Sequence, residues 1–180
     1  MKLVVGLGNP GDRYNFTRHN TGFLTLDFYL KRYGDTWSEK PRLNAIFCER
    51  EGVSEGEKVV LIKPQDFYNL SGVAVANWAH YYKIPTSDIL VICDNFDLEF
   101  GKVRYRETGV AGGNNGLKSV DQELGTSDYA RIRVGTKNDE ILSRVGAVDF
   151  VLSRFTPEEK EKLPGVLAEV CDKIDEFIRG

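Results

Sequence analysis

The chain holds only two histidines, and their settings differ. His80 lies in the run Trp78-Ala79-His80-Tyr81-Tyr82, where an imidazole among aromatics reads as structural or as surface. His19 lies in the polar stretch Thr17-Arg18-His19-Asn20, just ahead of a helical periodicity. A loop imidazole is a candidate general base because its ordinary pKa lies close to neutrality. Asp94 follows the apolar run Asp88-Ile89-Leu90-Val91-Ile92-Cys93. An acid at the end of a strand could accept Nδ1–H from an imidazole and fix its tautomer, as the acid of a hydrolytic triad does. It could equally cap a loop. Cys93 reads as a buried strand residue, since its side chain should point away from that of Asp94.

Amides make up the rest of the inventory. Asn9 lies in Gly6-Leu7-Gly8-Asn9-Pro10-Gly11, after an apolar strand and where sites of α/β proteins gather. Asn69 lies in Phe67-Tyr68-Asn69-Leu70-Ser71-Gly72. Asn114 and Asn115 end a glycine-rich loop, Gly109 to Gly116, that runs into a helix start suited to anions or close backbone approach. Residues 6–11 match the GxGxxG spacing of dinucleotide sites, but Pro10 removes an N–H donor and helical periodicity starts only near Thr21. Tight glycine turns explain that motif without a nucleotide. The chain has no Walker A sequence, no GxSxG elbow and no His/Cys/acid spacing typical of a metal site. One base, one orienting acid and several amides fit activation of water against a bound carbonyl, with no cofactor and no metal.

The elements that must position these residues follow from periodicity. Strands are expected at Lys2–Leu7, Asn44–Glu49, Lys58–Ile62, Asp88–Cys93, Lys102–Arg106 and Ala130–Gly135, with a short one at Val148–Leu152. Residues 8–20 read as a polar loop, and Ser54-Glu55-Gly56-Glu57 as a turn. Helices are expected from Thr21 to a stop at Gly34, from a Ser71 cap to about Tyr82, and over Asn115–Leu124. Thr156-Pro157-Glu158-Glu159 is a capping box opening a C-terminal helix, which Pro164-Gly165 should kink or interrupt. Strands alternating with helices indicate one α/β domain over residues 1–180, on a mixed sheet.

Composition bounds the class. Of 180 residues, 41% are hydrophobic and 28% charged, enough for a sizeable core under a solvated surface. No apolar run reaches membrane-spanning length and nothing resembles a signal peptide, so a cytoplasmic protein without a membrane partner is expected. Three scattered cysteines suggest reduced thiols. The net charge of −3 argues mildly against a nucleic-acid partner. However, residues 156–178 carry seven acids against three bases, which leaves the remainder close to neutral. Lys102, Arg104, Arg106, Lys118, Arg131 and Arg133 form a local basic stretch. Alternation places Lys102, Arg104 and Arg106 on one strand face and Arg131 with Arg133 on another common face.

Taken together, GLGNPG at 6–11, RHNTGF at 18–23, FYNLSG at 67–72, Asp94 with Asp97-Leu98, and GGNNGLKS at 112–119 resemble the bacterial peptidyl-tRNA hydrolase family. The five matches fall in that family's order between Lys2 and roughly Phe155. The resemblance implies a monomeric α/β globule with a twisted, mostly parallel mixed sheet flanked by helices. The activity it implies is hydrolysis of the ester joining a peptide to tRNA. His19 then matches the catalytic base and Asp94 the acid that orients it. Asn9, Asn69 and Asn115 match amides lining the cleft for peptide and 3′-adenosine, with Tyr14 and Phe67 close by. Arg104, Arg106 and Arg133 match basic positions near the tRNA acceptor end. The chain departs from the pattern at two substrate-bordering positions. Asn114 stands where a histidine is usual and Tyr68 where a methionine is usual. A non-catalytic RNA-binding protein on the same fold would need no base, and the presence of both His19 and Asp94 favours an enzyme.

Overall fold

The computed structural model describes residues 1–52 and 56–180. The described strands are β1 (Lys2–Gly6), β2 (Ser38–Lys40), β3 (Ala45–Glu51), β4 (Lys58–Pro64), β5 (Ile89–Glu99), β6 (Val103–Arg106) and β7 (Ala130–Lys137). They form one sheet in the order β2-β3-β4-β1-β5-β7-β6. The centre, β4-β1-β5-β7, is parallel, while β2, β3 and β6 are antiparallel additions at the edges. The helices are α1 (Thr21–Tyr33), α2 (Ser71–Tyr82), α3 (Asn115–Leu124), α4 (Asp139–Val151) and α5 (Pro157–Arg179).

Alternation along the strands divides the core in two. Leu3 and Val5 of β1 face α2 and α3, where Val75, Trp78, Leu117 and Val120 cover them. Val4 faces α1 and α5, against Leu26, Leu30, Val170 and Ile174. Burial on both faces explains why the central strands read as continuous apolar runs. The result is the mixed α/β sheet between helices that the sequence led us to expect. No helix among the described residues is long and apolar enough to cross a membrane.

Close approach explains the glycines around the first turn. A Cβ on Gly22 would lie 2.4 Å from Leu7 N and 2.6 Å from Ile92 O, and one on Gly6 would lie 2.5 Å from Gly22 O. Glycines at 6 and 22 therefore let the start of α1 rest directly on the ends of β1 and β5. That contact places His19 beside the carboxyl end of the sheet.

Several expectations need correction. Residues 8–20 are not a solvated loop: they contain two short 3-10 turns, and Thr17, Arg18 and Asn20 are buried. Ser71 does not cap α2. It is the first helical residue, and its hydroxyl donates to Tyr68 O at 2.9 Å. Residues 148–151 belong to α4, not to a strand. The Asn138 side chain caps α4 by accepting from Ile141 N, and acids occupy the first turn. Gly146, at φ 78° and ψ 168°, breaks the helical path and with it the periodicity that would have revealed the helix. The short edge strand β2 was not foreseen, and the expected turn at 54–57 begins outside the described residues. Pro164 does not end the last helix, since α5 runs from Pro157 to Arg179. The carbonyl of Lys160 loses its helical donor there, but Lys160 is exposed to water. Meanwhile the face of Leu163, Leu167, Val170, Cys171 and Ile174 stays buried.

The Thr156 capping box is present, and its acid does more than cap. Glu159 accepts from Thr156 N at 2.8 Å, from Asn138 Nδ2 at 3.0 Å, and from both terminal nitrogens of Arg18 at 3.0 and 2.7 Å. Arg18 is fully buried, stacked over Phe150 and Phe155 at 4.6 and 5.1 Å, and also donates to Thr136 O and Ser153 Oγ. Burial alone would raise the pKa of Glu159, but the hydrogen bonds from Arg18, Asn138 and the Thr156 backbone outweigh it and lower the value. A depressed acid contributes stability that is complete above its unfolded pKa, about 4.3, and is lost as pH falls through the lower folded value. Glu159→Ala strands a buried guanidinium and is expected to cost about 3–5 kcal/mol at pH 7. In urea unfolding measured against pH, the gap between wild type and variant should close only below about pH 4. A constant gap down to pH 3 would show that packing, not charge, is responsible.

Candidate active site

His19 lies in the 3-10 turn Arg18–Asn20, which the buried Arg18 holds on one side. On the other side the Asn20 amide clasps the loop after β1, accepting from Asn9 N at 2.8 Å and donating to Asn9 O at 2.9 Å. Asp94 enters from β5, almost fully buried. His19 Nδ1 lies 2.9 and 3.0 Å from the two carboxylate oxygens of Asp94. A carboxylate can only accept there, so Nδ1 carries the proton and, in the neutral imidazole, Nε2 is the nitrogen with the free lone pair. The imidazole remains partly exposed, with 16% of its side chain open to solvent.

Tyr68 lies beneath this pair. Its ring stacks on the imidazole at a centroid distance of 3.5 Å and 11° between planes, and its hydroxyl donates to Asp94 Oδ1 at 2.8 Å. Burial, reinforced by the charge of Asp94, pushes the Tyr68 pKa well above its ordinary value, so the hydroxyl stays protonated and donating. Asn9 Oδ1 accepts from Tyr68 N at 2.7 Å, which fixes the asparagine side chain against the base of the site. The thiol of Cys93 is buried and points to the opposite face, and burial pushes its pKa up to about 12, beyond the range of a nucleophilic thiolate at neutral pH.

Two hollows open on either side of His19. One, of about 270 Å³, is lined by Asn9, Tyr14, Phe67, Tyr68, Asn69 and Asn115, with Val148 and Val151 of α4 and Leu152 just after it. Tyr14 and Phe67 meet edge to face at 6.4 Å there. The other, of about 200 Å³, is lined by Asp94, Asn95, Phe96, Asp97, Asn114 and Arg133 with further residues of the glycine-rich loop and α4. Asn115 and Val148 border both. A larger hollow of about 580 Å³ near Lys2, Tyr105 and Phe177 contains neither histidine nor amide side chain and has charges of both signs. Its greater size does not make it the better site, because it holds no imidazole oriented by a buried acid.

The structure thus gathers His19, Asp94, Asn9, Tyr14, Phe67, Asn69, Asn114 and Asn115, drawn from four segments far apart in sequence, around one cleft. Asn114 differs from the other amides. Its Oδ1 caps α3 by accepting from Leu117 N, and its Nδ2 donates to Tyr68 Oη and Asp94 O at 2.9 and 3.2 Å. Among the basic residues, Arg104 and Arg106 are exposed on β6 and pair in register with Arg133 and Arg131 of β7, so all four share a sheet face. Arg133 reaches the second hollow and donates to Val110 O and Ala111 O, steadying the glycine-rich loop. Arg131 is turned inward, over the Tyr129 ring and onto Ser127 O. The apolar wall supplied by α4, the clasp of Asn20 and the buried anchor of Arg18 escaped the sequence reading. Only the placement of Arg18 and Asn20 beside His19 hinted at the last two.

The GxGxxG spacing does not build a nucleotide site. Asn9 N–H is spent on Asn20, Pro10 has none, and no long helix begins before Thr21. The comparisons agree with the cleft. The family model for peptidyl-tRNA hydrolase matches residues 3–180. A peptidyl-tRNA hydrolase of Chloroflexus aggregans is 46% identical over 176 residues, covering 97% of this chain and 91% of the relative. One from Bacillus cereus is 42% identical over 181 residues, covering 99% and 93%. The crystal structure of peptidyl-tRNA hydrolase from Acinetobacter baumannii superposes with a TM-score of 0.89 at 30% identity, covering all of this chain and 89% of that one. A match of this extent, on a fold that brings the five sequence motifs to one cleft, settles the assignment: the chain belongs to the peptidyl-tRNA hydrolase family.

Proposed function

We propose that this protein hydrolyses the ester between the peptide and the 3′ ribose of peptidyl-tRNA, with His19 as the general base. The observation that carries the reading is the His19–Asp94 pair, whose geometry leaves Nε2 unprotonated at the wall of a cleft lined by amides. His19 Nε2 takes a proton from water as the water oxygen adds to the ester carbonyl. Collapse of the tetrahedral intermediate breaks the bond to the ribose oxygen, which recovers the proton from the imidazolium. Asp94 holds the tautomer and stabilises the imidazolium while the charge lasts. General-base assistance of this kind contributes about 10²–10⁴-fold.

The amides give the cleft its selectivity. Asn9, Asn69 and Asn115 present donors and acceptors that suit a peptide link and the 3′ nucleoside, while Tyr14 and Phe67 offer an aromatic edge. An aminoacyl-tRNA has a free amine in place of the first peptide bond and leaves such partners unpaired, so it is a poorer substrate. Arg104, Arg106 and Arg133 contact phosphates of the acceptor end, for which the guanidinium fork is well shaped. A non-catalytic RNA-binding role is not favoured, because it gives no reason for an imidazole oriented by a buried acid.

Two outcomes follow. His19→Ala should lower kcat by at least about 10²-fold with the fold intact, and Asp94→Asn by more than roughly tenfold, measured as peptide release from a defined peptidyl-tRNA. Activity of His19→Ala within tenfold of wild type would remove His19 as the base. The triple variant Arg104→Ala, Arg106→Ala, Arg133→Ala should raise KM for full-length substrate with little change in kcat, and each lost phosphate contact should lower the salt slope of binding by somewhat under one unit. If KM and slope stay at their wild-type values, these arginines are ordinary surface charge.

A further inference from the structure

The two positions at which the chain departs from the family pattern, Tyr68 and Asn114, are in contact with each other and with Asp94. Asn114 Nδ2 donates to Tyr68 Oη at 2.9 Å, and Tyr68 Oη donates to Asp94 Oδ1 at 2.8 Å. The second amide proton of Asn114 goes to the Asp94 backbone carbonyl at 3.2 Å, and its oxygen is used as the cap of α3. Neither proton of the amide is left for a ligand. The Tyr68 ring lies flat under the imidazole. It can do so because residue 116 is glycine: a Cβ there would lie 2.4 Å from the ring.

We propose that Tyr68 and Asn114 are positioning residues for His19. A relay runs from the Asn114 amide through the Tyr68 hydroxyl to the Asp94 carboxylate, and the Tyr68 ring supports the plane of the imidazole. The inference rests on His19 being the base. Asp94 Oδ1 serves two donors, Tyr68 Oη and His19 Nδ1, and the share given to tyrosine is withheld from the imidazolium. The relay therefore holds the ring in place and divides between two donors the carboxylate oxygen that orients it. It also withdraws Asn114 from substrate binding, so the contacts expected of that position fall to Asn9, Asn69 and Asn115.

The ionisable groups that line the hollows with His19 are Asp94, Asp97, Tyr14, Tyr68 and Arg133. The wall from α4 is formed by Ala147, Val148 and Val151, with Leu152 beyond its end, and none of these ionises. Only Tyr68 and Asp94 touch the imidazole or share its carboxylate, so removal of the hydroxyl can be read at His19 itself. With two histidines in the chain, a His80→Gln background assigns the His19 Nδ1–H resonance by NMR.

Tyr68→Phe keeps the stacked ring and deletes one oxygen. Its expected effect is a fall in kcat of about five- to tenfold with KM within about twofold, since a hydrogen bond to a charged group is lost. The His19 Nδ1–H resonance should also move downfield, because the carboxylate oxygen then accepts from the imidazole alone. Asn114→Ser preserves a helix cap and removes both amide donors. It should shift both readouts the same way by less, and the double variant should match Tyr68→Phe. An unchanged Nδ1–H resonance and kcat in Tyr68→Phe would overturn the relay. So would a double variant whose loss is the product of the two single losses, or an Asn114→Ser variant that changes KM alone, because either result would place Asn114 on the substrate. An active His19→Ala enzyme would instead refute the underlying assignment of the base, whatever Tyr68 does.

Discussion

The buried ion pair between Arg18 and Glu159 is the constraint on which the site depends. Two charges taken out of water are costly, and the attraction between them offsets that cost only when the remaining donors and acceptors are satisfied. Here they are. The guanidinium uses Nη1 and Nη2 on the carboxylate, Nη1 also on Thr136 O and Nε on Ser153 Oγ, and two phenylalanine rings cover its faces. The carboxylate in turn serves the caps of α4 and α5 through Asn138 and Thr156. One acid thus ties together the start of the C-terminal helix, the start of the cleft wall and the residue that precedes His19. The turn holding His19 has too little apolar surface to fold down on its own, and this pair supplies what burial cannot.

From that anchor the site assembles by contact with strand ends. β5 runs on past the end of its parallel neighbour β1, so Asp94 of β5 meets the side chains that follow β1 above the sheet. Gly6 and Gly22 allow α1 to begin almost in contact with those strands, and Asn20 closes the remaining gap to Asn9 with a reciprocal pair of backbone bonds. The imidazole thereby meets a carboxylate that has only 2% exposure. In such surroundings a hydrogen bond is stronger than in water, and a misplaced donor costs more. The network of Asp94, His19, Tyr68 and Asn114 is accordingly closed by protein partners, and only the imidazole edge and the free amides of the cleft face solvent.

Charge is distributed in keeping with a polyanionic substrate. The excess of acids resides in α5, whose inner face is committed to the core on the α1 side of the sheet. Two exposed arginines, Arg104 and Arg106, lie on the far edge of the sheet, on β6, with Arg133 at the border of the cleft. An acidic chain can hold an RNA end when its positive charges are local, because solvent ions screen the more distant negative charge beyond roughly 10 Å at ordinary salt.

The sequence by itself determined the alternation of strands and helices, the start of α3, the capping box of α5 and the set of residues, His19, Asp94 and the amides around them, that meet at the cleft. Those features are local: they depend on periods of two and about four residues, on capping chemistry, and on residue types that few other roles explain. Tertiary structure alone decided the rest. It turned residues 17–20 from a polar loop into buried structure, because the partner of Arg18 lies 141 residues away at Glu159. It carried α5 through Pro164, because one lost helical bond is small beside a continuous buried face. It made 148–151 the helical wall of the cleft, where Gly146 had erased the period. It also joined the Asn114 amide to Tyr68 and Asp94, which come from other parts of the chain. No local pattern reports a hydrogen bond closed between distant segments, because the chain must fold before the two groups become neighbours.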